Sequence, residues 1–212
     1  MKDIPMFTTD NGIASLILKE IPYKSAAYIK IQSSLEPKAL LDECVSFCRM
    51  AGADSVYATG HPYLEGYPLY TAVQRMQCPA DALPETDAAL FPVQERTLDT
   101  WRELYNYKMA NVPNSAYMTV ADARKMLDRG NGYFVHRNGE LLGIGIAGGD
   151  RIDAVISAVP GAGADVVLAL RHALSADTAM LEVASVNKRA IRLYEKLGFI
   201  CIGEISRWYK IF

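Results

Sequence analysis

Histidine and cysteine are scarce in this chain, which has three of the first and four of the second in 212 residues. The cysteines are Cys44, Cys48, Cys78 and Cys201. Without a secretory leader they do not read as a disulfide framework, and Met1-Lys2-Asp3-Ile4-Pro5 leads into no apolar run, so no leader is expected. Cys44 and Cys48 lie four apart on a helix, yet neither His61 nor another nearby side chain completes a zinc set, so free buried thiols are expected and no metal. No run approaches the ~20 apolar residues of a spanning helix. Charge of one sign is not in excess either: 22 Lys and Arg stand against 24 Asp and Glu. That argues against nucleic acid and anionic membranes as partners. Half the residues are apolar, which supports a folded core, and with no leader or spanning run expected the protein reads as cytoplasmic.

Apolar spacing and turn residues order the rest. Ile13 to Lys19 and Ser25 to Ser33 read as strands, Pro37 to about Ala51 as a helix, and Asp54 to Thr59 as a strand. Leu69 to Met76 reads as a short helix. Pro79 to Pro92, rich in proline and acids, reads as a linker. Thr97 and Thr119 are placed to cap helices over 98–110 and 120–129, separated by the breaker Pro113-Asn114-Ser115. Three strands follow: Tyr133 to His136, Leu141 to Ala147 across an Asn138-Gly139 turn, and Arg151 to Val159. A helix at about 164–174, a strand at 179–184, a helix after Asn187 and a last strand from Ile200 to Ile211 complete the order. This divides the chain into an α/β extension at 1–92 and a domain at 93–212. The apolar last strand, ending at Phe212, could pair across a homodimer.

One stretch carries specific residue types. In Leu181 to Phe199, Ser185 and Asn187 can cap the helix whose inner face is Ala190, Ile191, Tyr194 and Leu197, and Gly198 stops it. The pattern of Val183, Asn187, Ala190, Tyr194, Gly198 and Phe199 resembles the C-terminal signature of the GNAT N-acetyltransferase superfamily. The element order from Val93 onward is also the order of a GNAT domain. The resemblance implies an α/β (α+β) fold with a mixed, mostly antiparallel sheet flanked by helices. Strand, helix, strand and helix before residue 92 fit either a degenerate second copy of that fold or an unrelated extension.

The resemblance further implies acetyl-CoA as co-substrate, lying where two neighbouring strands part. Its phosphates would meet Gly161, Ala162, Gly163 and Ala164, a small-residue turn opening a helix, where backbone N–H groups converge. That turn departs from the family form: no Arg or Gln stands at its head, and Asp165 brings an acid. Ala158 or Val159 would offer a backbone donor to the thioester carbonyl, Asn187 would face the pantetheine arm, and Tyr194 would protonate the leaving thiolate. The general base stays open among Glu182, Asp153, Glu140, His136 and His172, with Glu182 placed first because its strand borders the gap. The expected reaction is direct acetyl transfer to a primary amine, small or peptidic. The alternative is a catalytically inactive CoA-binding sensor or docking module.

Overall fold

The computed structural model describes residues 2–113 and 115–212. Met1 and the Asn114 of the expected helix breaker lie outside the described residues. Among these the chain runs β1 (Ile4–Thr9), β2 (Gly12–Ile17), α1 (Ile21–Lys24), β3 (Ala26–Ser34), α2 (Pro37–Met50), β4 (Ser55–Thr59) and β5 (Leu69–Pro79). It continues with β6 (Ala89–Pro92), α3 (Leu98–Met109), α4 (Val120–Arg129), β7 (Gly132–Arg137), β8 (Glu140–Gly148) and β9 (Arg151–Ser157). It ends with α5 (Gly163–Leu170), β10 (Thr178–Ala184), α6 (Lys188–Lys196) and β11 (Ile200–Lys210).

Two compact units result, one of residues 1–73 with 204–212 and one of residues 74–203. Composition had suggested a division at 92. Compactness divides the chain elsewhere because Met76, Cys78, Leu83 and Ala88 pack into the same core as α5 and β10. Pro79 to Pro92 is therefore not a bare linker: Ala89 to Pro92 forms β6 and pairs antiparallel with β7. The segment from Leu69 to Met76 is a strand, not a helix. Thr71 and Val73 are β-branched, and Met76 and Cys78 are buried at a spacing of two. In so short a window a three-residue spacing of apolar side chains fits either structure. The strand β1 was not anticipated from the sequence.

In the first unit β1, β2 and β3 are successive antiparallel neighbours, and β3 runs parallel to β4. Leu40, Leu41, Cys44 and Cys48 of α2 close a core over Ala27, Ile29, Val56 and Ala58. Burial pushes the Cys44 thiol up to about 12 and Cys48 to about 11, so both are inert. Cys78 is buried as well, but Cys201 is exposed, contrary to expectation, because the first part of β11, Ile200 to Ile205, is exposed on both faces. Tyr209 and Lys210 pair with Ala58 and Tyr57, and the Lys210 N–H donates to the Pro68 carbonyl. Both sides of this end of β11 are thus bonded within the chain.

In the second unit the strand order is β5, β10, β9, β8, β7, β6. β6 to β9 form an antiparallel meander, and β9 and β10 are parallel. The turn Asn138-Gly139 has φ of 51° and 83°, the left-handed pair a tight hairpin requires. On one face α3 and α4 bury Trp101, Tyr105, Ala123 and Met126 against Ile144, Ala154 and Ile156. The Trp101 indole also donates to the Tyr133 carbonyl at 3.0 Å. On the other face lies α5. A side chain at Gly143 would collide with the Ile156 carbonyl and Val166, and one at Gly145 with Leu170. The Leu-Gly-Ile-Gly-Ile pattern of β8 thus lets α5 sit directly on the sheet. No helix among the described residues is long and apolar enough to cross a membrane.

Candidate active site

Among the described residues the parallel register of β9 and β10 covers Arg151 with Met180 and Ile152 with Leu181. Beyond those positions no ladder joins them among the described residues, and a cleft opens toward the C-terminal end of β9. It has a volume of about 500 Å³, within the range of small-molecule sites. The side chains of Val155, Ser157 and Val159 alternate into it, as strand geometry dictates. Gly161 and Gly163 form one end, and Asn187, Ala190, Leu193 and Tyr194 of the α6 segment form a wall. Lys108 of α3 and Arg189 complete the lining.

At the glycine end the chain turns through Gly161, whose φ is 89°, into α5. No side chain caps α5. The first-turn N–H groups of Gly163, Ala164 and Asp165 have no acceptor among the described residues, which leaves the positive end of the helix dipole open to an anion. Gly163 abuts Leu193 of α6, so a Cβ there would come within 2.8 Å of its methyl group. Asp165 does not oppose an anion here. Its carboxylate is held by Arg137 at 2.5 Å, and Arg137 is shared with Asp87.

The peptide joining Ala158 to Val159 separates two expected donors. The Ala158 N–H donates to the Leu142 carbonyl at 2.8 Å and is spent. The Val159 N–H has no partner among the described residues, and Val159 lines the cleft. The Asn187 side-chain Oδ1 accepts from the Ala190 N–H at 3.2 Å, so it caps α6 while the residue lines the cleft. Thr119 caps α4 in the same way, whereas Thr97 does not cap α3 directly; it closes a reciprocal box with Gln94 one turn earlier. Tyr194 is buried, its ring 5.9 Å from that of Phe199. Burial pushes its hydroxyl up to about 12, so it is a protonated donor throughout the neutral range.

Glu182 is brought elsewhere. Its carboxylate pairs with Arg75 at 3.1 Å and Arg151 at 3.0 Å and does not line the cleft. Partial burial pushes that carboxyl up, but the two guanidinium groups outweigh it and hold it below the ordinary range. Asp153 pairs with Arg151. His136 lies edge-on to Phe91. Neither these nor Glu140 and His172 line the cleft, and its lining includes no carboxylate or imidazole among the described residues. Lys108 and Arg189 are the charged lining residues that sequence reasoning missed, and Val155, Ser157, Pro160 and Leu193 were missed as well. The Lys108 signal was absent because the contact spans 50 positions and depends on how α3 lies over β9.

Solved structures share the fold. A functionally unknown conserved protein from Staphylococcus epidermidis ATCC 12228 superposes with a TM-score of 0.63 at 10% identity, over 96% of this chain and 91% of that one. A GCN5-related N-acetyltransferase from Anabaena variabilis ATCC 29413 gives 0.60 at 13% identity, over 94% of this chain and 59% of that one. A putative acetyltransferase from Pyrococcus horikoshii gives 0.59 at 11%, over 93% and 68%. The fold is GNAT-like. No family model matches the sequence, and no curated protein matches it. At such identities the GNAT-like likeness concerns the fold alone. No group of three or more His, Cys, Asp or Glu side chains suited to a metal occurs among the described residues.

Proposed function

We propose that this chain transfers an acetyl group from acetyl-CoA to a primary amine by direct attack. The observation that carries this reading is the parting of β9 from β10, with Val159, whose N–H is free among the described residues, and Tyr194 both lining the cleft. The uncapped N-terminus of α5, with Gly161 and Gly163 beside it, fits the pyrophosphate of the donor. Val159 would donate to the thioester oxygen as negative charge develops there. The amine nitrogen forms the new C–N bond and the C–S bond breaks, its electron pair leaving on sulfur. Tyr194 gives that sulfur a proton and is reprotonated through water by the proton the amine loses. Water serves as the base in this scheme, because Glu182 is tied to two arginines and outside the cleft. In this reading the protein works in the cytoplasm, and its acceptor is a small or peptidic amine.

A second reading, a CoA-binding module without turnover, is favoured by the lack of a carboxylate or imidazole in the cleft lining among the described residues. Free-thiol release from acetyl-CoA across a panel of amines separates the two. Transfer requires amine-dependent thiol release that falls in Tyr194→Phe. The binding module requires a raised melting midpoint with acetyl-CoA and no thiol release with any amine. With neither effect, the likeness would stop at the fold.

A further inference from the structure

We propose that Lys108 is a positioning residue that orients and strengthens the Val159 N–H; the inference rests on the acetyl-transfer reading for its kinetic consequence but not for its structural one. Its ammonium donates to the Ala158 carbonyl at 3.0 Å. That carbonyl and the Val159 N–H belong to one planar trans peptide, so they point in opposite directions. A donor on the oxygen therefore fixes the plane in which the N–H is aimed. It also polarises the peptide, since hydrogen bonds through an amide reinforce each other in a low-dielectric site. Nothing else fixes this plane from the oxygen side in the described contacts, and the strand ladder has ended by this point.

The arrangement is not what a surface lysine makes. Lys108 is half-buried in the last turn of α3 and lines the cleft, and no ion pair engages it among the described residues. A cation at the C-terminal end of α3 already suits the helix dipole. Yet the side chain reaches across to a carbonyl 50 residues away in sequence. α3 is held over β9 by Trp101 and Tyr105 against Ala154 and Ile156, so the reach is built into the core.

The test uses Lys108→Met, which keeps the apolar stem, and Lys108→Arg, which restores a donor. In the ligand-free protein the ¹⁵N resonance of Val159 should move upfield in Lys108→Met, while Gly143 and Gly145 stay in place. Lys108→Arg should return it toward the original position. With acetyl-CoA and an accepted amine, kcat should fall about tenfold in Lys108→Met with KM for acetyl-CoA nearly unchanged, less than the loss of a whole oxyanion donor. Lys108→Arg should recover most of that loss. An unmoved Val159 resonance, or a raised KM with kcat kept, would overturn the assignment. If the wild type releases no thiol with any amine, the acetyl-transfer reading fails, and the Val159 resonance still decides whether Lys108 holds the peptide.

Discussion

Burial fixes the ring of Tyr194 and raises still further the pKa of a hydroxyl that is protonated at neutral pH. Tyr194→Phe keeps the ring, so the fold should persist, and kcat should fall by roughly 10² or more if the hydroxyl is the acid. Affinity for acetyl-CoA, read by calorimetry, should change little. The same burial makes a pH prediction. The folded-state value near 12 lies above the unfolded value of 10.0, so the proton binds more tightly in the folded chain. This contribution is complete below pH 10 and is lost as pH rises from about 10 to 12, by about 2–3 kcal/mol. Denaturant melts should therefore show wild type losing stability relative to Tyr194→Phe across that window, because the variant has no hydroxyl to ionise. Asn187→Ala should cost about 1 kcal/mol through the lost cap of α6. Asn187 and Tyr194 were legible in the sequence because cap spacing and helical phase are local. Glu182 was placed on the right strand, but its partners Arg75 and Arg151 are distant in sequence. No local pattern states which side of a strand will meet a guanidinium.

The elements that were legible are those with long, consistent periodicity and a punctuating residue. The helix α2 begins at Pro37 as expected, and the hairpin at Asn138-Gly139 has the required dihedrals. The strand β5 was not legible as a strand, since its apolar residues satisfy both periods over a few positions. The depth at which α5 packs was also hidden, although its cause is written in Gly143 and Gly145. Those glycines can be tested as a packing device. Gly143→Val should destabilise the fold by about 1–3 kcal/mol, because the Ile156 carbonyl is backbone and cannot turn aside. The melting midpoint should fall, and acetyl-CoA affinity should fall with it as the open end of α5 shifts. The corresponding Gly139→Ala, at an open hairpin turn, should cost stability by backbone strain while leaving affinity alone.

At the scale of the whole chain, two units repeat the order strand, helix, parallel strand: β3, α2, β4 and β9, α5, β10. They differ where function would be decided. β3 and β4 stay paired over Ala26 with Ser55 through Lys30 with Thr59, whereas β9 and β10 part after Ile152 and Leu181. Among the described residues the strands therefore part in the second pair and not in the first. Acetyl-CoA should bind one per chain in calorimetry, and a stoichiometry of two would reveal a second working copy. The division into units was not legible, because the chain changes unit within β5 and again near the start of β11, where hydrophobic pattern runs on without a break.

The most direct measurement of the central claim is a titration of the ¹⁵N-labelled protein with acetyl-CoA, followed at individual amides. The expected result is a saturable change concentrated at Val159, Gly161, Gly163 and Ala164, with Ala158 smaller because its N–H is already bonded to Leu142. Saturable changes that avoid these amides, or none at millimolar acetyl-CoA, would contradict the cleft between β9 and β10 as the site of a thioester.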